Sequence, residues 1–113
     1  MEGEVSKISP RALAALGSEE MEPVVSAVTV WEVAIKRSLG KVKARAGMLT
    51  EIEGAGVELL PVTARHADLV ASLPLHHRDP FDRLLVAQSV LEALTLVTTD
   101  SQLAPYGGLV RVL

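Results

Sequence analysis

Short apolar runs alternate with helical stretches along this chain, and that alternation constrains its fold more than any other feature of the sequence. Val24-Val25-Ser26-Ala27, bounded by Pro23, reads as a buried strand. Val57 to Val62, Thr95 to Thr98 and Leu109 to Leu113 read the same way. Helices lie between them. Thr29 opens the first in a Thr-x-x-Glu capping box with Glu32, and Trp31, Ile35 and Leu39 recur at helical spacing before Gly40. Ala44 to Ile52 is a further helix, closed by Gly54 and Gly56. Thr63 caps a short one that runs through Ser72. Asp79-Pro80-Phe81-Asp82 opens a longer helix to Ala93, with Asp79 as cap and Pro80 in the first turn. Asp100 starts a turn or short helix ending near Pro105, and Gly107-Gly108 is a turn. Short apolar strands joined by helices imply an α/β fold with a parallel sheet flanked by helices on both faces.

The start of the chain departs from that pattern. An α/β domain ordinarily opens on a buried strand, but Met1 to Ile8 is polar and charged. Ser9-Pro10 reads as a helix start, Arg11 to Leu16 as a short helix stopping at Gly17, and Ser18 to Glu22 as an acidic loop. The 113 residues suit a single domain, with no repeat or low-complexity segment.

Composition removes several classes of function. Cysteine is absent, which excludes disulfides, thiolate metal sites and cysteine nucleophiles. No apolar run approaches the ~20 residues that span a bilayer, and the N-terminus has no signal-like apolar stretch, so a cytoplasmic location is expected. With one Trp, one Tyr and one Phe the core must be aliphatic, and stacking of RNA bases on aromatic platforms is not expected. The net charge is −3, yet Lys36, Arg37, Lys41, Lys43 and Arg45 lie close together with no acid among them. They form either a solvated helix end with a basic loop or a patch that contacts phosphates.

Serine-hydrolase elbows, Walker loops and dinucleotide glycine motifs do not occur. His66, His76 and His77 lack zinc-binding spacing, and His76 and His77 read as exposed loop residues. The carboxylates carry more. Glu32 follows the first strand by one turn, Asp82 lies at a helix start, and Asp100 follows the third strand directly. In a parallel sheet the carboxyl ends of the strands share one edge, where ligands bind. Acids gathered there repel unless a cation lies between them, and hard oxygen ligands select Mg²⁺ or Mn²⁺. Each acid also has a purely structural reading. Glu32 completes a capping box or pairs with Lys36, Asp82 complements a helix dipole, and Asp100 caps a turn. For Asp79 the capping role is preferred to metal binding.

Three segments resemble the VapC-like PIN-domain family. They are Val25 to Lys36 (VSAVTVWEVAIK), His76 to Gln88 (HHRDPFDRLLVAQ) and Leu94 to Asp100 (LTLVTTD), in the family's order and spacing. The resemblance runs from about Ile8 to the C-terminus. It implies a three-layer PIN-like fold and a metal-dependent endoribonuclease, the toxin component of a type II toxin–antitoxin system. By motif position it assigns Glu32, Asp82 and Asp100 as catalytic residues and as ligands of Mg²⁺ or Mn²⁺. Lys36 and Arg37 would hold the RNA backbone, and Thr98 or Thr99 would hydrogen-bond the metal shell or the phosphate. Implied partners are RNA, a cognate antitoxin and a second copy of the chain. The implied chemistry is metal-assisted phosphodiester hydrolysis.

The family opens with an apolar strand whose aspartate is a further metal ligand, and nothing in this sequence matches it. The expected fold therefore lacks the first central strand, with weak metal binding and poor cleavage. Three ways of meeting that gap follow: a longer natural chain, direct pairing of the flanking strands, or a strand donated by another chain. A contrasting function is a non-catalytic PIN remnant that binds an antitoxin or a homodimer partner.

Overall fold

The computed structural model describes residues 15–17, 23–41 and 47–113. Its strands are β1 (Ala15–Gly17), β2 (Pro23–Ser26), β3 (Glu58–Leu60), β4 (Thr95–Thr98) and β5 (Val110–Val112). They form one sheet in the order β3-β2-β1-β4-β5. β2 pairs with β3 in parallel and β4 with β5 in parallel. β1 lies between the two pairs and runs antiparallel to both neighbours. β2, β3, β4 and β5 therefore all point the same way, and β1 alone is reversed.

This arrangement corrects two expectations. Ala15–Gly17 are strand, not the end of a helix from Arg11; Ser9 to Ala14 lie outside the described residues. The sheet is mixed at its centre, and the position between β2 and β4 is filled from within the chain. The physical reason is backbone satisfaction. The inner edges of β2 and β4 present N–H and C=O groups that need partners when buried. Pairing on both sides outweighs the modest helix preference of Ala-Ala-Leu before a glycine. β1 registers with Pro23 and Val24 on one side and with Thr95, Leu96 and Val97 on the other. Ser26 and Thr98, at the carboxyl ends of β2 and β4, lie beyond its paired residues.

The helices are α1 (Ala27–Ser38), α2 (Met48–Gly54), α3 (Ala64–Leu69) and α4 (Pro80–Glu92), with 3₁₀ turns at Val70–Ser72 and Ser101–Tyr106. α1 follows β2 without a linker. Its cap is Ser26, whose Oγ accepts the Val28 N–H at 3.0 Å. Thr29 is therefore inside the first turn and buried, not a cap with Glu32. The strand ends on a residue that is at least as good a cap, which moves the helix start forward. Two other starts match the sequence. Thr63 accepts the His66 N–H and His66 Nδ1 accepts the Thr63 N–H in return, a capping box with histidine in the usual Glu position. Asp79 caps α4 and Pro80 takes the first helical position. The helix expected from Ala44 to Ile52 begins at Met48; its expected residues 44–46 lie outside the described residues.

Val24 of β2, Val28 of α1, Leu85 and Val86 of α4, Leu96 of β4 and Leu103 of the second 3₁₀ turn form the aliphatic core. A polar chain runs beside it. Ser26 Oγ donates to Gln88 Oε1, and Gln88 Nε2 donates to Pro61 O at 3.2 Å. His66 Nε2 contacts Glu92 Oε2 at 2.8 Å. Since His66 Nδ1 is an acceptor, Nε2 carries the hydrogen and donates to that carboxylate. This chain ties the end of β2 to α3 and α4, so the sheet edge and α4 hold a fixed relation.

α4 ends at Ala93, whose backbone is left-handed at φ 55° and ψ 40°. Glycine normally occupies such a helix end because Cβ crowds the carbonyl there. Ala93→Gly is expected to raise unfolding stability by about 0.5–1 kcal/mol in urea denaturation. A lower midpoint would show that the residue is not strained.

Candidate metal centre

α4 and the turn after β4 bring two acids together. Asp82 lies in the first turn of α4, where its backbone N–H donates to Asp79 Oδ1 at 3.1 Å. Its carboxylate is fully buried. Asp100 follows β4 after one residue. Its N–H donates to Thr98 Oγ1 at 3.0 Å, and its Oδ1 accepts the Gln102 N–H at 2.9 Å to cap the 3₁₀ turn. One carboxylate oxygen is thus used locally, and Oδ2 turns towards α4.

His77 lies between them. Its Nε2 is 3.2 Å from Asp82 Oδ2 and 3.4 Å from Asp100 Oδ2. One ligand-type atom from each of the three residues lies within 4.8 Å of the others. The loop carrying His77 is held from several directions. Its backbone N–H donates to Tyr106 Oη at 3.1 Å, and the Asp79 N–H donates to its Nδ1 at 3.2 Å. Arg83, one turn into α4, donates to Val70 O, Leu73 O, Pro74 O, His77 O and Tyr106 Oη. A planar guanidinium can satisfy several loop carbonyls at once, which an ammonium does poorly.

Of the residues expected from sequence, the fold thus groups Asp82 with Asp100. Glu32 is not part of that group. It is fully buried on α1 and its Oε2 receives Lys36 Nζ at 2.8 Å, the pairing that the sequence offered as its structural role. It is held close to α4 all the same: Trp31 and Phe81, which precede Glu32 and Asp82, meet edge to face with centroids 4.8 Å apart. Thr98 is buried, with its oxygen turned to the Asp100 N–H, while Thr99 is exposed. Arg37 is exposed on the last turn of α1. The rest of the basic stretch, 42–46, lies outside the described residues.

His77 departs from its expected place as a solvent-exposed loop residue; it is largely buried against the two acids. The sequence held a signal for it. His77 stands two residues before the cap of the helix that carries Asp82, so its loop must end beside that carboxylate. A search for zinc spacings within one helix does not reveal this. Arg83 and Tyr106 were also missed, because a clamp on loop carbonyls leaves no local pattern.

Two carboxylates facing a common point, one of them fully buried, are the donor type that a hard divalent cation takes. The same pair without a cation or a donor between it is repulsive. A family model described as PIN domain matches residues 6–109. The chain belongs to the PIN domain family. No curated protein and no solved structure matches it. PIN domains are commonly nucleases and typically depend on a divalent metal. The helices and short parallel strands described above agree with a PIN-like fold. Among the described residues of this PIN domain, no helix is long and apolar enough to cross a membrane.

Arg83→Met keeps much of the side-chain stem and removes the clamp. It is expected to cost about 2 kcal/mol of stability, because part-buried loop carbonyls lose their shared donor. The His77 amide should also exchange faster with solvent. Unchanged exchange at His77 would show that the clamp does not hold the loop.

Proposed function

We propose that this PIN domain is a metal-dependent endoribonuclease of the VapC type, acting as the toxin of a type II toxin–antitoxin pair in the cytoplasm. The observation that carries the reading is the approach of Asp82 and Asp100, from α4 and from the end of β4, to a single atom at 3.2 and 3.4 Å. Asp82 and Asp100 would hold Mg²⁺ or Mn²⁺, with Glu32 as the further acid of the set on the adjoining helix. The ion supplies Lewis-acid stabilisation of the phosphate charge and of the leaving oxygen. The chain's own residues do the rest. Burial of Asp82 keeps its carboxylate out of bulk water, which strengthens its electrostatic contacts. Asp100 is fixed by its cap. Lys36 and Arg37, in the last turn of α1, meet the RNA backbone, and Thr99 offers a hydroxyl on the turn beside Asp100. Weak ion binding and slow cleavage are proposed for a site built on these three acids. An antitoxin and a second copy of the chain are the proposed partners.

RNA cleavage by this chain is expected to require Mg²⁺ or Mn²⁺ and to stop in EDTA. Activity that survives the chelator would rule out the metal mechanism. Asp82→Asn is expected to lower cleavage on the order of 100-fold, through loss of a charge that stabilises the transition state. Asp79→Asn should cost little, because asparagine caps a helix as well as aspartate does. Equal losses would mean that Asp79 belongs to the site. No loss from Asp82→Asn or Glu32→Gln, together with no Mn²⁺-dependent stabilisation, would favour the non-catalytic remnant.

A further inference from the structure

An imidazole beside two carboxylates invites the reading that His77 is a third metal ligand, and its hydrogen bonds argue otherwise. A histidine that binds a metal through Nε2 presents a lone pair there and carries its hydrogen on Nδ1, which then donates to a carbonyl, a carboxylate or water. His77 Nδ1 instead accepts the Asp79 backbone N–H at 3.2 Å. A nitrogen that accepts that bond carries no hydrogen, so the hydrogen is on Nε2. Nε2 then has no lone pair for an ion. It donates to Asp100 Oδ2 at 3.4 Å and lies 3.2 Å from Asp82 Oδ2.

The ring is also held in this sense. Turning it over would set a carbon against the Asp79 N–H and leave the backbone donor of the residue that caps α4 without its acceptor. The backbone of His77 is anchored at both ends, by Tyr106 Oη on its N–H and by Arg83 on its carbonyl. The donor thus stands on a support that does not depend on either acid.

Resting on the metal-site reading of Asp82 and Asp100, we propose that His77 is a positioning residue, whose Nε2–H holds the two carboxylates towards a divalent ion that they bind through oxygen alone. Nitrogen would not enter the coordination shell. The site then keeps the hard-cation preference of a carboxylate site, where an imidazole ligand would shift it towards Zn²⁺, Ni²⁺ or Cu²⁺.

The test uses the whole chain and two readouts besides cleavage. Long-range ¹H–¹⁵N NMR of the metal-free protein should show His77 with its hydrogen on Nε2; a hydrogen on Nδ1 would overturn the proposal. Mn²⁺ titration followed by electron paramagnetic resonance should show His77→Ala binding about 10- to 100-fold more weakly, with His77→Gln, whose amide N–H reaches the Nε2 position, within about threefold of wild type. Electron spin-echo spectra of the wild-type Mn²⁺ complex should show no coordinated nitrogen. A coordinated-nitrogen signal that disappears in His77→Gln would make His77 a ligand, and equal affinity in His77→Ala and wild type would deny it any positioning role. If His77→Ala does not fold, the wild-type and His77→Gln spectra still decide. Failure of the wild-type chain to take up Mn²⁺ is a separate outcome: it overturns the metal reading of Asp82 and Asp100 and the proposal with it.

Discussion

The inner edges of two parallel strand pairs have to be joined, and in this PIN domain a reversed three-residue strand joins them. Without β1, the backbone groups of β2 and β4 that face each other would lack partners, at a cost comparable to several lost hydrogen bonds. With it, the two pairs form one sheet whose other four strands share a direction. Ser26 and Thr98 then fall at the same edge. α1 leaves from one and the turn that carries Asp100 leaves from the other. The candidate site at that edge depends on this pairing before it depends on any side chain.

Local capping then sets the acids. Asp79 caps α4 and so fixes the first turn in which Asp82 lies. Asp100 uses one oxygen as a cap and keeps the other for the site. Ser26 does double duty as well, capping α1 and bonding Gln88 across the core. Polar residues of this kind are costly when buried without partners, and here each holds an element in a definite orientation. The Arg83–Tyr106 clamp extends the same logic to a loop that has no regular structure of its own.

What the sequence made legible follows the range of the interaction. The start of α4 was readable because Asp79-Pro80 is a local signal, and Thr63 was readable as a cap for the same reason. The direction of β2, β3, β4 and β5 followed from their helical connections. The role of Ala15–Gly17 was not readable, since it is set by two strands distant in sequence that overrule a local helix preference. Thr29 looked like a cap because a Thr-x-x-Glu pattern stands there, but the strand before it ends on Ser26. For the site, Asp82 and Asp100 were named from motif and strand position, and the fold brings them together. His77 is not legible in the same way, because its partners come from a loop, a helix and a turn that no spacing rule connects. Glu32 remains on the neighbouring helix, bonded to Lys36.

Asp82 and Asp100 are proposed to share one divalent ion at the carboxyl edge of the sheet. Anomalous scattering from crystals soaked in Mn²⁺ locates such an ion directly. A peak in contact with oxygens of both aspartates is expected. A peak elsewhere on the surface, or an ion held by one aspartate and not the other, would contradict it.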